Sequence, residues 1–393
     1  MSSKSFKTAI AVCEYNPFHN GHKRHLDIMK ASGADVAVIM SGNFCQRGEM
    51  ALLDKYTRAR HAVKAGADVV FELPTVFSVA PAEIFASGAV SLLDSLPGEK
   101  TLYFGTEGGT EDDFIATAKA TLCESKEFKA SLKLRLKEGV PYARARTMAL
   151  EDVGEKADLS PLSTPNAILG IEYTKALLKA NSKTRICPVL RNTDYHGTDL
   201  SGEVCSATAI RAAILDGKVK KTKGFVPGFV FEDLPRALPS CDKMMIYKAL
   251  ECDKKDLKAV MDCTEGLENR IKALSRSARD VNDLLDKLET KRYTRARLAR
   301  IITANMLGIR KELVLKALKS SLYLKVLAIA ADKTHLLSQF SGGKHKLLTR
   351  KSDGDSLTGV AKAVFMRDVL AGDIYSLATG TKSNEFQMQI IKR

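Results

Sequence analysis

The stretch Ala9-Ile10-Ala11-Val12-Cys13-Glu14-Tyr15-Asn16-Pro17-Phe18-His19-Asn20-Gly21-His22 sets the reading of this chain. Ala9 to Cys13 is a short apolar run stopped by Asn-Pro, the pattern of a buried parallel strand. Gly21-His22 then opens a helix with His22 and His25 on one face. Helix-end amides and imidazoles meet at the carboxyl end of that strand, where an open α/β sheet takes its ligands. Gly21 lets the backbone approach phosphate oxygens, and His19 and His22 can donate to them. A His-x-x-His triplet by itself is equally a structural pair or half of a metal site. Its position directly behind a strand turns the reading toward a nucleotide.

Outward from this stretch the chain alternates strand and helix. Ala34 to Met40, Val69 to Leu73, Thr101 to Phe104 and Arg185 to Leu190 are further apolar runs. Between the runs lie amphipathic segments, His22 to Ala31, Leu53 to Ala65 and Ala80 to Leu96, which predict crossover helices. Gly33 and Gly66 stand where two of these helices need a left-handed residue to stop. Thr164-Pro165-Asn166 predicts a helix from about Asn166 to Ala180, with proline in its first turn. The fold class expected is α/β, a Rossmann-like parallel sheet with helices on both faces, closing near residue 215.

From about residue 216 the pattern changes. Lys218 to Gly228 reads as a connector, and Asp242 to Glu251, Leu267 to Leu288 and Thr294 to Met306 have helical periods. Residues 1–215 carry 26 Lys and Arg against 25 Asp and Glu, whereas 216–393 carry 35 against 21, so nearly the whole +15 sits in the second part. The expected division is a domain over 1–215 and a basic, mainly helical domain over 216–393. A neutral front joined to a basic back suits a polyanionic partner, because Lys and Arg gain affinity by displacing phosphate counterions. The densest cluster is Lys291-Arg292-Tyr293-Thr294-Arg295-Ala296-Arg297-Leu298-Ala299-Arg300. Lys291, Arg292, Arg295 and Arg297 are candidate phosphate contacts, the plain alternative being a solvated helix face.

Composition excludes several classes. No apolar run is long enough to span a bilayer, and Met1 to Ser5 lacks a signal-peptide core, so a cytoplasmic protein is expected. Eight cysteines without a Cys-x-x-Cys pair argue against a disulfide framework and a zinc ribbon. Cys241, Cys252 and Cys263 recur every eleven residues, which helical core positions explain without a metal.

A second phosphate element stands late in the first part. Ser206-Ala207-Thr208-Ala209-Ile210-Arg211 starts a helix, placing the Ser206 and Thr208 hydroxyls and free amides at its N-terminus with Arg211 one turn in. Alone these hydroxyls are ordinary caps. Together with the histidine motif they form a triphosphate cradle.

These two elements resemble those of the nucleotidyltransferase superfamily, with its His-x-Gly-His and later Ser-x-Thr-x-x-Arg signatures. Longer strings narrow the match: Glu14 to His22, Met40-Ser41-Gly42-Asn43-Phe44-Cys45-Gln46-Arg47-Gly48-Glu49, and Gly66 to Pro74 are similar to the bacterial tRNA(Met) cytidine acetate ligases. Phe104-Gly105-Thr106-Glu107, Pro165 to Tyr173, Tyr195-His196 and Lys291 to Arg295 add to it. The segment 9–13 lacks a glycine that many relatives carry, and Met50 stands where proline is usual.

The resemblance implies an ATP-dependent, carbon–nitrogen bond-forming ligase. It would convert acetate to acetyl-adenylate, with ATP as co-substrate and Mg2+, and then acetylate N4 of the wobble cytidine of elongator tRNA(Met). It implies ATP contacts from Val12, Cys13, Glu14, Tyr15, Asn16, Pro17, Phe18, Asn20, Gly21 and His25, with His19 and His22 on the phosphates. By position it adds Gly105, Asn166, Arg191 and Asn192. Asn43, Gln46 and Arg47 would hold acetate or the flipped cytidine, or else merely shape their loop. Two other readings remain: a small-molecule adenylyltransferase of pantetheine-phosphate or nicotinate-nucleotide type, which needs no basic second domain, and an RNA-binding module without catalysis.

Overall fold

The computed structural model describes residues 6–122, 125–140, 142–152, 164–191, 205–381, 385–386 and 388–393. Five strands come from the first part of the chain: β1 (Lys7–Cys13), β2 (Asp35–Ser41), β3 (Val69–Leu73), β4 (Glu99–Thr106) and β5 (Arg185–Leu190). Three come from its far end: β6 (Tyr323–Ala330), β7 (Lys346–Leu348) and β8 (Gln389–Ile391). All belong to one sheet of order β5-β4-β1-β2-β3-β6-β7, with β8 also paired to β6. β1 to β5 run parallel, and among the strands of the described residues only the β3–β6 pairing is antiparallel. Chain order therefore reverses at β1, which lies between β2 and β4, and a crevice opens at the carboxyl ends of β1 and β4.

This is the Rossmann-like α/β sheet that the alternation predicts, except that it does not close near residue 215: β6 pairs with β3 and extends the sheet with strands from the chain's far end. Successive side chains of each strand point to opposite faces. Ile10, Ala37, Ile39, Val69 and Phe71 pack on one face with Phe85, Ala89 and Ile171 of the helices Ala82–Asp94 and Pro165–Lys179. Ala9, Ala11, Val36, Val38 and Val70 pack on the other with Leu26, Ala59, Val63 and Ile210, from the helices Asn20–Ala31, Lys55–Ala65 and Ala207–Leu215. Asp54 caps the second of these by accepting from the amides of Tyr56 and Thr57 at 2.9 and 3.1 Å.

The back of the chain is helical over Asp242–Glu251, Leu267–Ser275, Val281–Leu288 and Arg295–Met306. The single helix expected over 267–288 is two, because Asp280 caps a fresh start by accepting from the Asp283 amide at 2.8 Å. Cys241, Cys252 and Cys263 are buried free thiols in this helical core. The chain then returns to the sheet as β6, every residue of which is buried.

That return is fastened by buried charge. Lys55 lies 2.7 Å from Glu72 on β3 and also pairs with Glu385. Lys325 on β6 reaches the other oxygen of Glu72 at 3.0 Å and also pairs with Glu385. Opposite charges this close hold the Glu72 carboxyl below its usual range against the pull of burial. Nearby, Asp368 accepts from the Thr75 amide at 2.7 Å and from the Tyr323 hydroxyl. Burial raises its pKa to about 7. Among the described residues no helix is long and apolar enough to cross a membrane.

Candidate active site

The crevice at the sheet's carboxyl end holds a cavity of about 350 Å³. Its floor is the end of β1, Ala11 to Cys13, and its walls are Glu14, Tyr15, Asn16, His19, Gly21, His22 and His25. Gly105 on β4, Asn166 at the start of a helix, Arg191 just past β5, Arg211, Gln46 and Arg47 complete it. Fifteen of the residues singled out from the sequence thus meet in one place.

The two imidazoles are oriented by backbone. His19 is the N-cap of the helix Asn20–Ala31, and its Nδ1 accepts from the Gly21 amide at 3.1 Å. His22 Nδ1 accepts from the His19 amide at 3.3 Å. The rings stack with centroids 3.6 Å apart, and Tyr15 stands edge-on to His22 at 4.8 Å. With each Nδ1 an acceptor, a neutral ring carries its proton on Nε2, leaving that N–H as the donor for the cavity both rings line. Burial, aided by the Arg191 charge, lowers the His19 pKa to about 3 and that of His25 to about 4. Burial and the neighbouring His19 hold His22 well below the usual value. The motif therefore presents uncharged donors, not imidazolium ions. Among the described residues the buried Nε2 of His25 has no hydrogen-bond partner.

The charges come from arginines. A Cβ added to Gly105 would sit 3.1 Å from Arg191 Cδ, so the bare strand end gives the arginine stem its path into the cavity. Arg191 lies 3.9 Å from Glu107, which also accepts from Thr164 Oγ1 at 2.7 Å and from Asn166 Nδ2. Arg211 donates to the Asn16 carbonyl at 2.6 Å and lies 3.0 Å from Glu49. Glu14 accepts from the Gln46 amide at 2.6 Å, and burial pushes its pKa up.

Other singled-out residues lie off the wall. Pro17 and Phe18 are buried, and Asn20 faces the connector, donating from Nδ2 to the Gly224 carbonyl at 3.0 Å. Ser206 caps its helix by accepting from the Ala209 amide at 3.0 Å, and Thr208 is exposed. Asn43 is buried and accepts from the Lys55 amide at 2.9 Å, which makes it a brace of its loop. Asn192 and Tyr195-His196 lie outside the described residues. Sequence reasoning missed Arg58, fully buried and donating to the carbonyls of Leu53, Glu14, Ser41 and Gly42. Only the tertiary fold distinguishes it from a surface arginine of an amphipathic helix. It also missed the apolar wall of Ile28, Leu169, Tyr173 and Val189.

The basic stretch is differently placed. Lys291 and Arg292 are exposed, and Arg292 pairs with Glu265. Arg295 pairs with Asp286 and donates to Asn282 Oδ1 at 2.8 Å. Arg297 donates to the Asp262 carbonyl at 2.8 Å and stacks over Tyr293 at 5.2 Å. The helix they begin packs on the 41–50 loop: Thr303 donates to the Gly48 carbonyl at 2.6 Å, and a Cβ on Gly48 would meet backbone of Ala299 at 2.5 Å.

Comparison with known proteins agrees with this geometry. The HIGH Nucleotidyl Transferase family model matches residues 7–389. A tRNA(Met) cytidine acetate ligase of Caldanaerobacter subterraneus subsp. tengcongensis is 36% identical, over 93% of this chain and 94% of that protein. One from Thermosipho melanesiensis is 35% identical, over 93% of each. The crystal structure of Thermotoga maritima TmcAL bound with alpha-thio ATP superposes with a TM-score of 0.87 at 27% identity, covering 98% of this chain and all of that one. The chain belongs to the tRNA(Met) cytidine acetate ligase family of HIGH nucleotidyl transferases.

Proposed function

We propose that this chain activates acetate with ATP and transfers the acetyl group to N4 of the wobble cytidine of elongator tRNA(Met). In the first step an acetate oxygen attacks the α-phosphorus, acetyl-adenylate forms and pyrophosphate leaves with the broken bond's electrons. In the second the cytosine amine attacks the acetyl carbonyl, the C–N bond forms, AMP leaves and the nitrogen's proton passes to water. The activation is needed because an exocyclic aromatic amine is a feeble nucleophile and acetate carries no leaving group.

The observation that carries this reading is the stacked His19–His22 pair, each Nδ1 accepting from a backbone amide, on the wall of a cavity at the strand-order reversal. Donors fixed in place before charge develops stabilise the transition state without reorganisation. In our reading His19 and His22 hold phosphate oxygens, Arg191 and Arg211 supply positive charge, and Asn166 and the apolar wall receive the nucleoside. Acetate lies near Gln46 and Arg47. Mg2+ would come with the triphosphate and would neutralise charge on its oxygens; among the described residues no cluster of three or more His, Cys, Asp or Glu side chains forms a separate metal site. Residues 1–215 carry the adenylation chemistry, 216–393 bind the tRNA, and the protein works in the cytoplasm.

The test is incubation with ATP, acetate and unmodified elongator methionine tRNA, followed by nuclease digestion and mass spectrometry for N4-acetylcytidine. Its formation, dependent on both ATP and acetate, is expected. AMP joined instead to another metabolite would make the chain a small-molecule adenylyltransferase, and tRNA binding with no ATP consumed would leave only an RNA-binding protein.

A further inference from the structure

A second cavity, of about 420 Å³, opens beside the first. Arg47 and Arg211 line both, so the two cavities adjoin at these residues. The walls of the second come from parts of the chain far apart in sequence: Leu238 and Pro239 from an extended segment, Met245 and Leu285 from two helices, and Ala296 from the helix that begins with the basic stretch. Its polar groups include Glu49, Ser240, Asp242, Asn282 and Arg295 with the two shared arginines.

We propose that this second chamber is the seat of the acceptor base, one unstacked cytosine of a single-stranded RNA segment. The proposal rests on the acetyl-transfer reading above and adds where the second substrate sits. Three features carry it. The chamber is of ligand size, within the usual range of about 300–1,000 Å³. Its lining mixes apolar side chains with charges that nearly balance, three arginines against Glu49 and Asp242, which suits a flat, uncharged ring with a mixed donor and acceptor edge better than a phosphate. Asn282 commits its Oδ1 to Arg295, so its amide nitrogen is left to donate, and cytosine O2 and N3 are acceptors. The third feature is position. A base seated here lies beside Arg47 and Arg211, which also line the cavity where the adenylate would form, while Lys291 and Arg292 are exposed, do not line the chamber and are free to meet the strand's phosphates.

The chamber can be filled from two separate parts of the chain. Ser240 lies on its exposed rim and Ala296 on its helical wall, so Ser240→Trp and Ala296→Trp each occupy the space without cutting into the sheet. For each variant, acetate-dependent ATP–pyrophosphate exchange and N4-acetylcytidine formation in unmodified methionine tRNA are measured together, with thermal melting to verify folding. The ratio of transfer to exchange should fall about a hundredfold, the cost of misplacing a reacting group by about 1 Å or more. An unchanged ratio in both folded variants overturns the proposal. So does loss of exchange in step with transfer, which would make the chamber part of the nucleotide site. A parent protein without acetate-dependent exchange defeats the earlier reading itself, an outcome distinct from parent exchange with an unaltered ratio.

Discussion

At the carboxyl end of the sheet, the backbone spends the Nδ1 atoms of His19 and His22 on capping and leaves the opposite nitrogens as donors to a cavity. Between residues 291 and 297 the arginines are instead tied to neighbours: Arg292 to Glu265, Arg295 to Asp286 and Asn282, and Arg297 to the Asp262 carbonyl. The first region sets neutral ring donors in a buried place and leaves its positive charge to Arg191 and Arg211. The second carries high charge, mostly answered locally and exposed to screening. The difference separates chemistry from docking: buried donors held in place act on a developing charge, whereas exposed, paired cations add salt-sensitive affinity.

The largest expected effect breaks the first side of this comparison. His22→Ala removes one Nε2–H donor and the ring stacked on His19. Acetate-dependent pyrophosphate exchange should fall about 10²- to 10³-fold, as on removal of a fixed donor to a transition-state oxygen, while tRNA affinity stays near that of the parent in a filter-binding assay. Undiminished exchange would take His22 out of the chemistry. A parallel loss of tRNA affinity would mean that the two regions are not separable.

Much of the first region was legible in sequence because its signals are local. An apolar run ended by Asn16-Pro17, a glycine before His22, and a Ser206 cap with Arg211 one turn in each prescribe their own geometry. Arg58 was not legible, because its four carbonyl partners come from three separate turns of chain. β6 was not legible as a strand, since an eight-residue apolar run beginning at Tyr323 has no period to separate a buried strand from a buried helix. Its partner Glu72 lies hundreds of residues earlier, and Lys325, a charge within that run, makes sense only beside it. The second region's charge was plain in composition, but its pairing was not: Glu265 and Asp286 reach Arg292 and Arg295 through helix packing, which the charge count cannot show.

The contrast between uncharged and charged groups also predicts a pH effect. His25 has its pKa lowered from 6.5 to about 4 by burial and by Arg191, so between those values the unfolded chain binds a proton that the folded chain refuses. Stability from this group is intact above pH 6.5 and lost as the pH falls toward 4. On moving from pH 7 to pH 5 the parent should lose about 2 kcal/mol more unfolding free energy than His25→Asn, read from urea denaturation of each. The other buried histidines are present in both proteins; among the causes that depress His22, the neighbouring His25 is the smallest, so they largely offset one another in the comparison. Equal losses would show that His25 is solvated or charged in the folded state, and the picture of a neutral imidazole wall would fail there first.

The smallest effect sharpens the second side. Replacing Arg292, Arg295 and Arg297 together by Ala should weaken tRNA binding about tenfold at moderate salt. The slope of log affinity against log salt should drop by about 0.7 to 0.9 for each phosphate that the arginines no longer neutralise. The weakening is modest because each arginine already has a protein partner and must share or exchange it on binding RNA. Pyrophosphate exchange serves as the internal standard, since His19 and His22 take no part in this pairing. A salt slope equal to the parent's would place the RNA-binding surface elsewhere on the basic region, and a drop in exchange matching the drop in affinity would mean that the helix 295–306, through its grip on Gly48, sets the shape of the Gln46–Arg47 loop as well.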